Sequence, residues 1–187
     1  MAFLDVGCGV GITDEFLIPK VGKVHGIDVA EGVLAKAREA HPEVNYTSFD
    51  GKRMPFNDNS FDVSFAMCVF HHVLPEHRQN LVEEMGRVTR NDGLIVIFEH
   101  NPLNVFTQIA VRRCPLDEDA ILLRPSETVR LMNNSGVKFI ERGYILLTPW
   151  EVRLLSIIEK TFKKFPLGAQ YFVAARVVNK PLEKDNG

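Results

Sequence analysis

The chain has 187 residues, 45% of them hydrophobic and 25% charged, enough for one domain with its own core. Its formal net charge of -2 gives no basic footprint for nucleic acid, and none of its apolar runs approaches the roughly 20 residues that span a bilayer. Cys8, Cys68 and Cys114 form neither a Cys-x-x-Cys pair nor a disulfide framework, so reduced thiols in a cytoplasmic protein are expected.

Strand-like apolar runs alternate with helical patterns, the order that builds a doubly wound α/β sheet with helices on both faces. Residues 2–6 read as a first strand, running into Gly7-Cys8-Gly9-Val10-Gly11. After a short helix, residues 23–28 form a second strand. Residues 30–40 are helical, with Val33, Leu34 and Ala37 on one face and His41-Pro42 as the stop. Strands are expected at 44–49 and 61–68, then a helix at 76–89 that aligns Leu81, Met85 and Val88. Asn91-Asp92-Gly93 reads as a turn into a fifth strand at 94–99. The second half is less regular: a short helix at 105–112, an interruption at Cys114-Pro115, a helix from Ser126 to about Gly136, and strands at 138–147 and 170–178. One domain is expected over residues 1–178, followed by a flexible polar tail at 179–187.

A glycine-rich turn directly after a first strand lets backbone pass close to a ligand. Gly7, Gly9 and Gly11 give Gly-x-Gly-x-Gly, whereas a dinucleotide fingerprint wants a small residue where Ile12 stands. Alone, the glycines also fit a tight turn with no ligand. Asp28 closes the second strand, where a carboxylate can accept from two ribose hydroxyls. Asp50, just past the third strand and followed by Gly51, stands where it can accept from an exocyclic adenine amine. Asp5 lies inside the first strand, where a charge is costly unless paired, and a ligand ammonium group suits it. Helix caps and turns are the plainer reading of Asp28 and Asp50. Three carboxylates beside a glycine loop at successive strand ends favour a nucleoside ligand.

Taken together, residues 3–11, Gly26-Ile27-Asp28, Asp50-Gly51 with Met54-Pro55-Phe56, Asn59-Ser60-Phe61-Asp62-Val63 running into Phe70-His71-His72-Val73, and Arg87-Val88 with Asn91-Asp92-Gly93-Leu94 resemble the class I S-adenosylmethionine-dependent methyltransferases. The closest likeness is to the small-molecule subgroup that includes the quinone and sterol enzymes. The resemblance covers residues 2 to about 99 and implies a Rossmann-like seven-stranded sheet of order 3-2-1-4-5-7-6 with strand 7 antiparallel. It implies S-adenosyl-L-methionine as cofactor and S-adenosyl-L-homocysteine as product. Asp5 and the loop of Gly7, Cys8, Gly9 and Gly11 would hold the methionine moiety, Asp28 with Val29 the ribose, and Asp50 with Gly51 the adenine. Met67 and Cys68 would line the pocket beside the sulfonium. That family begins with a helical segment before the first strand, and this sequence starts on the strand, so the cover helices are expected to be missing.

Methyl transfer from a sulfonium is a direct displacement, so the main task is alignment, and a base is needed only where the acceptor must lose a proton. His72 is the first candidate for that base and for contact with the acceptor, with His71 second. Glu99 and His100, at the end of the fifth strand, are candidates to bind the acceptor. Packing or capping is the plainer reading of the adjacent histidines. His71, His72 and His77 lack the spacing of His-Glu-x-x-His, so no metal is expected. The lack of an Asn/Asp-Pro-Pro-Tyr/Phe sequence argues against methylation of adenine or glutamine amines.

Residues 101–125 read either as an acceptor lid or as a surface excursion. In residues 150–165, Leu154, Leu155, Ile157, Ile158, Phe162 and Phe165 are apolar while Arg153, Lys160, Lys163 and Lys164 are basic. Such an amphipathic stretch packs on its own domain or a sister subunit, or lies on a membrane surface without inserting stably. The leading expectation is therefore a methyltransferase for a small-molecule acceptor, by O- or C-methylation, the acceptor being lipid-like or glycan-linked. A catalytically inactive domain that binds S-adenosylmethionine or another nucleoside for regulation is the alternative. A nicotinamide-dependent dehydrogenase is the third reading, opposed by Ile12 and by Asp50-Gly51. No nucleic-acid partner is expected, and a homo-oligomer stays open.

Overall fold

The computed structural model describes residues 1–145 and 165–178. The strands are β1 (Ala2–Val6), β2 (Lys23–Asp28), β3 (Asn45–Ser48), β4 (Phe61–Met67), β5 (Thr89–His100), β6 (Val137–Ile145) and β7 (Gln170–Val177). The helices are α1 (Ile12–Leu17), α2 (Glu31–Ala40), α3 (Pro75–Val88), α4 (Val105–Arg113) and α5 (Pro125–Asn134), with a single 3-10 turn at Pro115–Asp117. One sheet of order β3-β2-β1-β4-β5-β7-β6 results. The first five strands pair in parallel, and β7 runs antiparallel to both β5 and β6. This is the sheet and strand order that the resemblance implies. The residues expected in an amphipathic stretch at 150–164 and in a tail at 179–187 lie outside the described residues.

Side chains three apart on a strand point to opposite faces. On β2, Ile27 joins the larger apolar cluster with Leu81, Val82 and Met85 of α3, while Val24 joins a smaller one with Leu34 and Ala37 of α2. The sheet is thus covered on both faces, as its parallel half requires. The larger cluster continues to Met132 of α5 and to Tyr171, Val173 and Ala175 of β7. Each such fully buried aliphatic side chain contributes about 1.5 to 3 kcal/mol. α3 starts at Pro75, whose missing N–H costs nothing at the first helical position, and ends directly on β5.

That junction departs from the expected turn. Asn91-Asp92-Gly93 lies within β5, which runs unbroken from Thr89 to His100. Asp92 takes a left-handed φ of 61°, and the pairing with β4 shifts register between Phe61 and Val63. The extra residues are absorbed as a bulge rather than a chain reversal, because Thr89 at the end of α3 is already paired with Phe61.

At the far end of the sheet, Ile145 pairs with Gln170, so β6 and β7 are held together up to the edge of the described chain. Asn101, fully buried, fastens this corner: its Nδ2 donates to the carbonyls of Gly168 (2.7 Å) and Pro166 (3.1 Å), and its Oδ1 accepts from Leu103 N–H.

Candidate functional site

In an open parallel sheet, ligands bind outside the carboxyl ends of the strands, where the strand order reverses. Here the reversal lies between β1 and β4. The turn after β1 carries Gly7 at φ 74°, Gly9 at 55° and Gly11 at 82°, all left-handed. A Cβ on Gly7 would come within 2.5 Å of Val69 Cγ2, and one on Gly11 within 2.5 Å of the Tyr46 hydroxyl. Glycine is therefore required at both positions by conformation and by space.

Beneath this turn lie two buried carboxyls, Asp5 on β1 and Asp14 on α1. Asp14 Oδ2 accepts from the Tyr46 hydroxyl at 2.8 Å. Asp5 Oδ2 and Asp14 Oδ1 are buried without a hydrogen-bond partner among the described residues. Burial, and next to it the neighbouring Asp14, pushes the Asp5 carboxyl well above the usual range. Burial also raises Asp14, partly opposed by the Tyr46 hydrogen bond. Two such carboxyls cannot both ionise cheaply, so they share a proton or face a cation. Asp14 lies outside the sequence motifs, and only its spacing of three from Gly11 hints at it.

The remaining residues of the edge follow in order. Asp28 accepts Gly9 N–H through Oδ2 and Ala30 N–H through Oδ1, both at 2.9 Å, which ties the glycine turn to the end of β2. Val29 beside it is exposed, and the Gly51 backbone passes close to it. Asp50 Oδ1 accepts from Lys52 N–H and Arg53 N–H, and these bonds hold its carboxyl below the ordinary value. Met67 is exposed at the end of β4, and Thr13 Oγ1 lies 3.6 Å from its sulfur. Cys68 takes a left-handed φ of 57°, with Gln170 Nε2 donating to its Sγ at 3.2 Å. Cys8 is different: its side chain is buried against Gly26 and in the cluster of Leu34 and Tyr46, so only its backbone belongs to the turn.

On the acceptor side, the histidines separate into distinct roles. His71 is buried, with Nδ1 2.7 Å from Glu99 Oε2. The other Glu99 oxygen accepts Phe70 N–H at 2.7 Å. Glu99 is completely buried with both oxygens engaged, so the expectation that it contacts an acceptor is corrected: it positions the loop after β4. His71 is likewise too enclosed to meet an acceptor, at 1% side-chain exposure, whereas His72 is 44% exposed. Burial opposes the charged form of His71, but Glu99 and Asp117 outweigh it and raise its pKa. Burial, then the neighbouring His71, lowers those of His72 and His100. Asp117, on the 3-10 turn, lies 3.4 Å from His71 Nε2 and 3.5 Å from His72 Nε2. Arg78 fastens this layer by donating to the carbonyls of Val73 and Ile121, and Ile121 N–H donates to the His71 carbonyl. Asp117 and Arg78 are long-range partners that chain spacing does not reveal.

A family model for a methyltransferase domain matches residues 4–97. A demethylmenaquinone methyltransferase from Paenarthrobacter aurescens is 31% identical over 134 residues, covering 68% of this chain and 52% of that protein. A phosphatidylethanolamine N-methyltransferase from Cereibacter sphaeroides is 35% identical over 103 residues, covering 52% of this chain and 49% of that one. The chain thus spans about half the length of these curated relatives. The fold is also that of a SAM-dependent methyltransferase crystal structure from Aquifex aeolicus, with a TM-score of 0.70 at 21% identity, covering 95% of this chain and 82% of that one. With its glycine turn and strand-end carboxylates on one edge of the sheet, and a methyltransferase-domain model matching residues 4–97, the chain belongs to the methyltransferase domain family.

Proposed function

We propose that this chain is an S-adenosylmethionine-dependent methyltransferase for a small acceptor with an apolar body, methylated on oxygen or carbon. The observation that carries the reading is the turn of three left-handed glycines after β1, tied to Asp28 at the end of β2, with the buried Asp5 and Asp14 carboxyls beneath it. The two carboxyls make the underside of the turn acidic, which suits the ammonium group that S-adenosylmethionine carries. Asp28 and Val29 would bind its ribose, Asp50 and Gly51 its adenine, and Met67 and Cys68 would flank its sulfur.

When bound, the cofactor supplies an electrophilic methyl group. The chain's own work is to orient the acceptor and keep the reacting atoms aligned, a contribution of about 7 to 11 kcal/mol in favourable intramolecular cases. His72, the exposed histidine on this rim, takes the proton where the acceptor is a hydroxyl. His71 and Glu99 hold the His72 loop in place rather than touch the acceptor. Leu103, Val105, Phe106 and Leu116 are exposed around α4, a surface suited to an apolar acceptor body. The two relatives named for demethylmenaquinone and phosphatidylethanolamine support such an acceptor. Free thiols at Cys8, Cys68 and Cys114 suit a reducing, cytoplasmic setting, and no helix among the described residues is long and apolar enough to cross a membrane.

Calorimetric titration with S-adenosylhomocysteine, followed by an acceptor panel scored for its release, tests the reading. Saturable 1:1 binding with turnover on an apolar hydroxyl or carbon acceptor is expected. No binding of either S-adenosyl compound by the folded chain would overturn it.

A further inference from the structure

We infer that His71, His100 and Asp117 form a binding site for a divalent first-row transition cation of the zinc type. One donor atom from each of the three lies within 4.8 Å of the others. They come from the loop after β4, the end of β5 and the 3-10 turn, so three separate segments converge on one point.

The distances favour an ion over direct pairing. His71 Nε2 is 3.4 Å from Asp117 Oδ1, and His72 Nε2 is 3.5 Å from the same oxygen. Both exceed the roughly 2.7 to 3.2 Å of a good N–H···O hydrogen bond. The His71–Asp117 separation matches the edge of a tetrahedron, about 3.3 to 3.4 Å, drawn by metal–ligand bonds of roughly 2.0 to 2.1 Å, and the donor of His100 lies within 4.8 Å of both. The His71 and His100 rings stand 4.9 Å apart, centroid to centroid, tilted by 42°.

The second layer is already built. Glu99 Oε2 lies 2.7 Å from His71 Nδ1. In neutral His71 that bond would hold the proton on Nδ1 and leave Nε2 to face Asp117, the carboxylate–histidine arrangement that orients metal ligands. Charge points the same way. Glu99 and Asp117 bring two carboxylates to the cluster, while Arg78, the buried cation beside it, donates to the Val73 and Ile121 carbonyls. A dication would replace the proton that this pair otherwise favours on His71. Asp117 also lines an open cleft of about 440 Å³ with Cys114 and Ala120. Imidazole and carboxylate donors select zinc, cobalt, nickel or iron over calcium and magnesium. Three protein ligands leave a tetrahedral ion one position for water or an oxygen ligand. Spacing along the chain hid the site, because neither His100 nor Asp117 stands at a metal-motif distance from His71.

The test is to strip the chain with a chelator and titrate it with Co²⁺ by visible absorption and with Zn²⁺ by calorimetry. One equivalent is expected to bind, with the absorption of four-coordinate cobalt. His100→Ala and Asp117→Asn each weaken binding at least about tenfold, and Glu99→Gln by roughly 10 to 100-fold, while His77→Ala leaves it unchanged. On the unaltered chain, NMR of the imidazole rings shows Zn²⁺ moving the His71 and His100 signals and not those of His41 and His77, which needs no variant to fold. No stoichiometric binding, binding untouched by His100→Ala and Asp117→Asn, or an unmoved His71 signal overturns the inference. S-adenosylhomocysteine titrated into the metal-free sample reports on the cofactor separately, so the two readings fail independently.

Discussion

His71 Nδ1 lies 2.7 Å from Glu99 Oε2 with both side chains buried, which pins the loop after β4 to the end of β5. Breaking this pair leaves a buried polar group short of its partner. Glu99→Gln keeps the shape and removes the charge, and it is expected to lower unfolding stability by about 2 kcal/mol in chemical denaturation. Glu99→Ala, which strips the acceptor from Phe70 N–H as well, costs about 3 to 5 kcal/mol. An unchanged denaturation midpoint in Glu99→Ala would show that the pair does not hold the loop.

Asp5 makes the cofactor edge costly for the unliganded fold. Its carboxyl is raised in the folded state, so the stability it contributes is fully present below the unfolded value, about 3.9, and is lost as pH rises through the folded value. Asp5→Asn removes that penalty. Without ligand, the variant should melt above the parent at pH 7, with the advantage shrinking towards pH 4, while losing affinity for S-adenosylhomocysteine. A melting difference that stays constant from pH 4 to pH 8 contradicts this account.

Asp28 carries two tasks that substitutions can separate. Asp28→Ala loses both backbone bonds, to Gly9 and Ala30, and should cost about 1 kcal/mol of stability together with a drop in S-adenosylhomocysteine affinity of about 100-fold. Asp28→Asn keeps an acceptor for one of those amides, so it retains most of the stability while losing ribose recognition. Calorimetry beside thermal melting distinguishes the two effects.

Gly7 is expected to refuse any side chain. Alanine there meets Val69 at 2.5 Å and is held at φ 74°, so Gly7→Ala should destabilise by about 2 kcal/mol or more. Adding Val69→Ala relieves the clash and not the backbone strain. The double variant should therefore recover only part of the lost melting temperature.

The parallel half of the sheet was legible because its strands are local apolar runs joined in order by short helices, and the glycine turn and Asp28 announce themselves by type and place. The place of Asp50 just past β3 follows from the same local pattern. The cluster of His71, His100 and Asp117 was not, since it joins residues from three elements and no local pattern encodes the meeting. Position at the end of β5 alone does not separate Glu99 from His100; the burial pattern there puts Glu99 on the inner side and His100 on the outer. Asn91-Asp92-Gly93 has the composition of a reversing turn, and only its pairing with β4 turns it into a bulge.

The clamp formed by Asn101 and the Ile145–Gln170 pair has an entropic corollary. Chain inserted between two points already held one strand-spacing apart alters loop-closure entropy only logarithmically, by about 0.6 kcal/mol per doubling of length. A change in the length of chain joining these two points is therefore expected to leave the pairing of β6 with β7 nearly as stable as before.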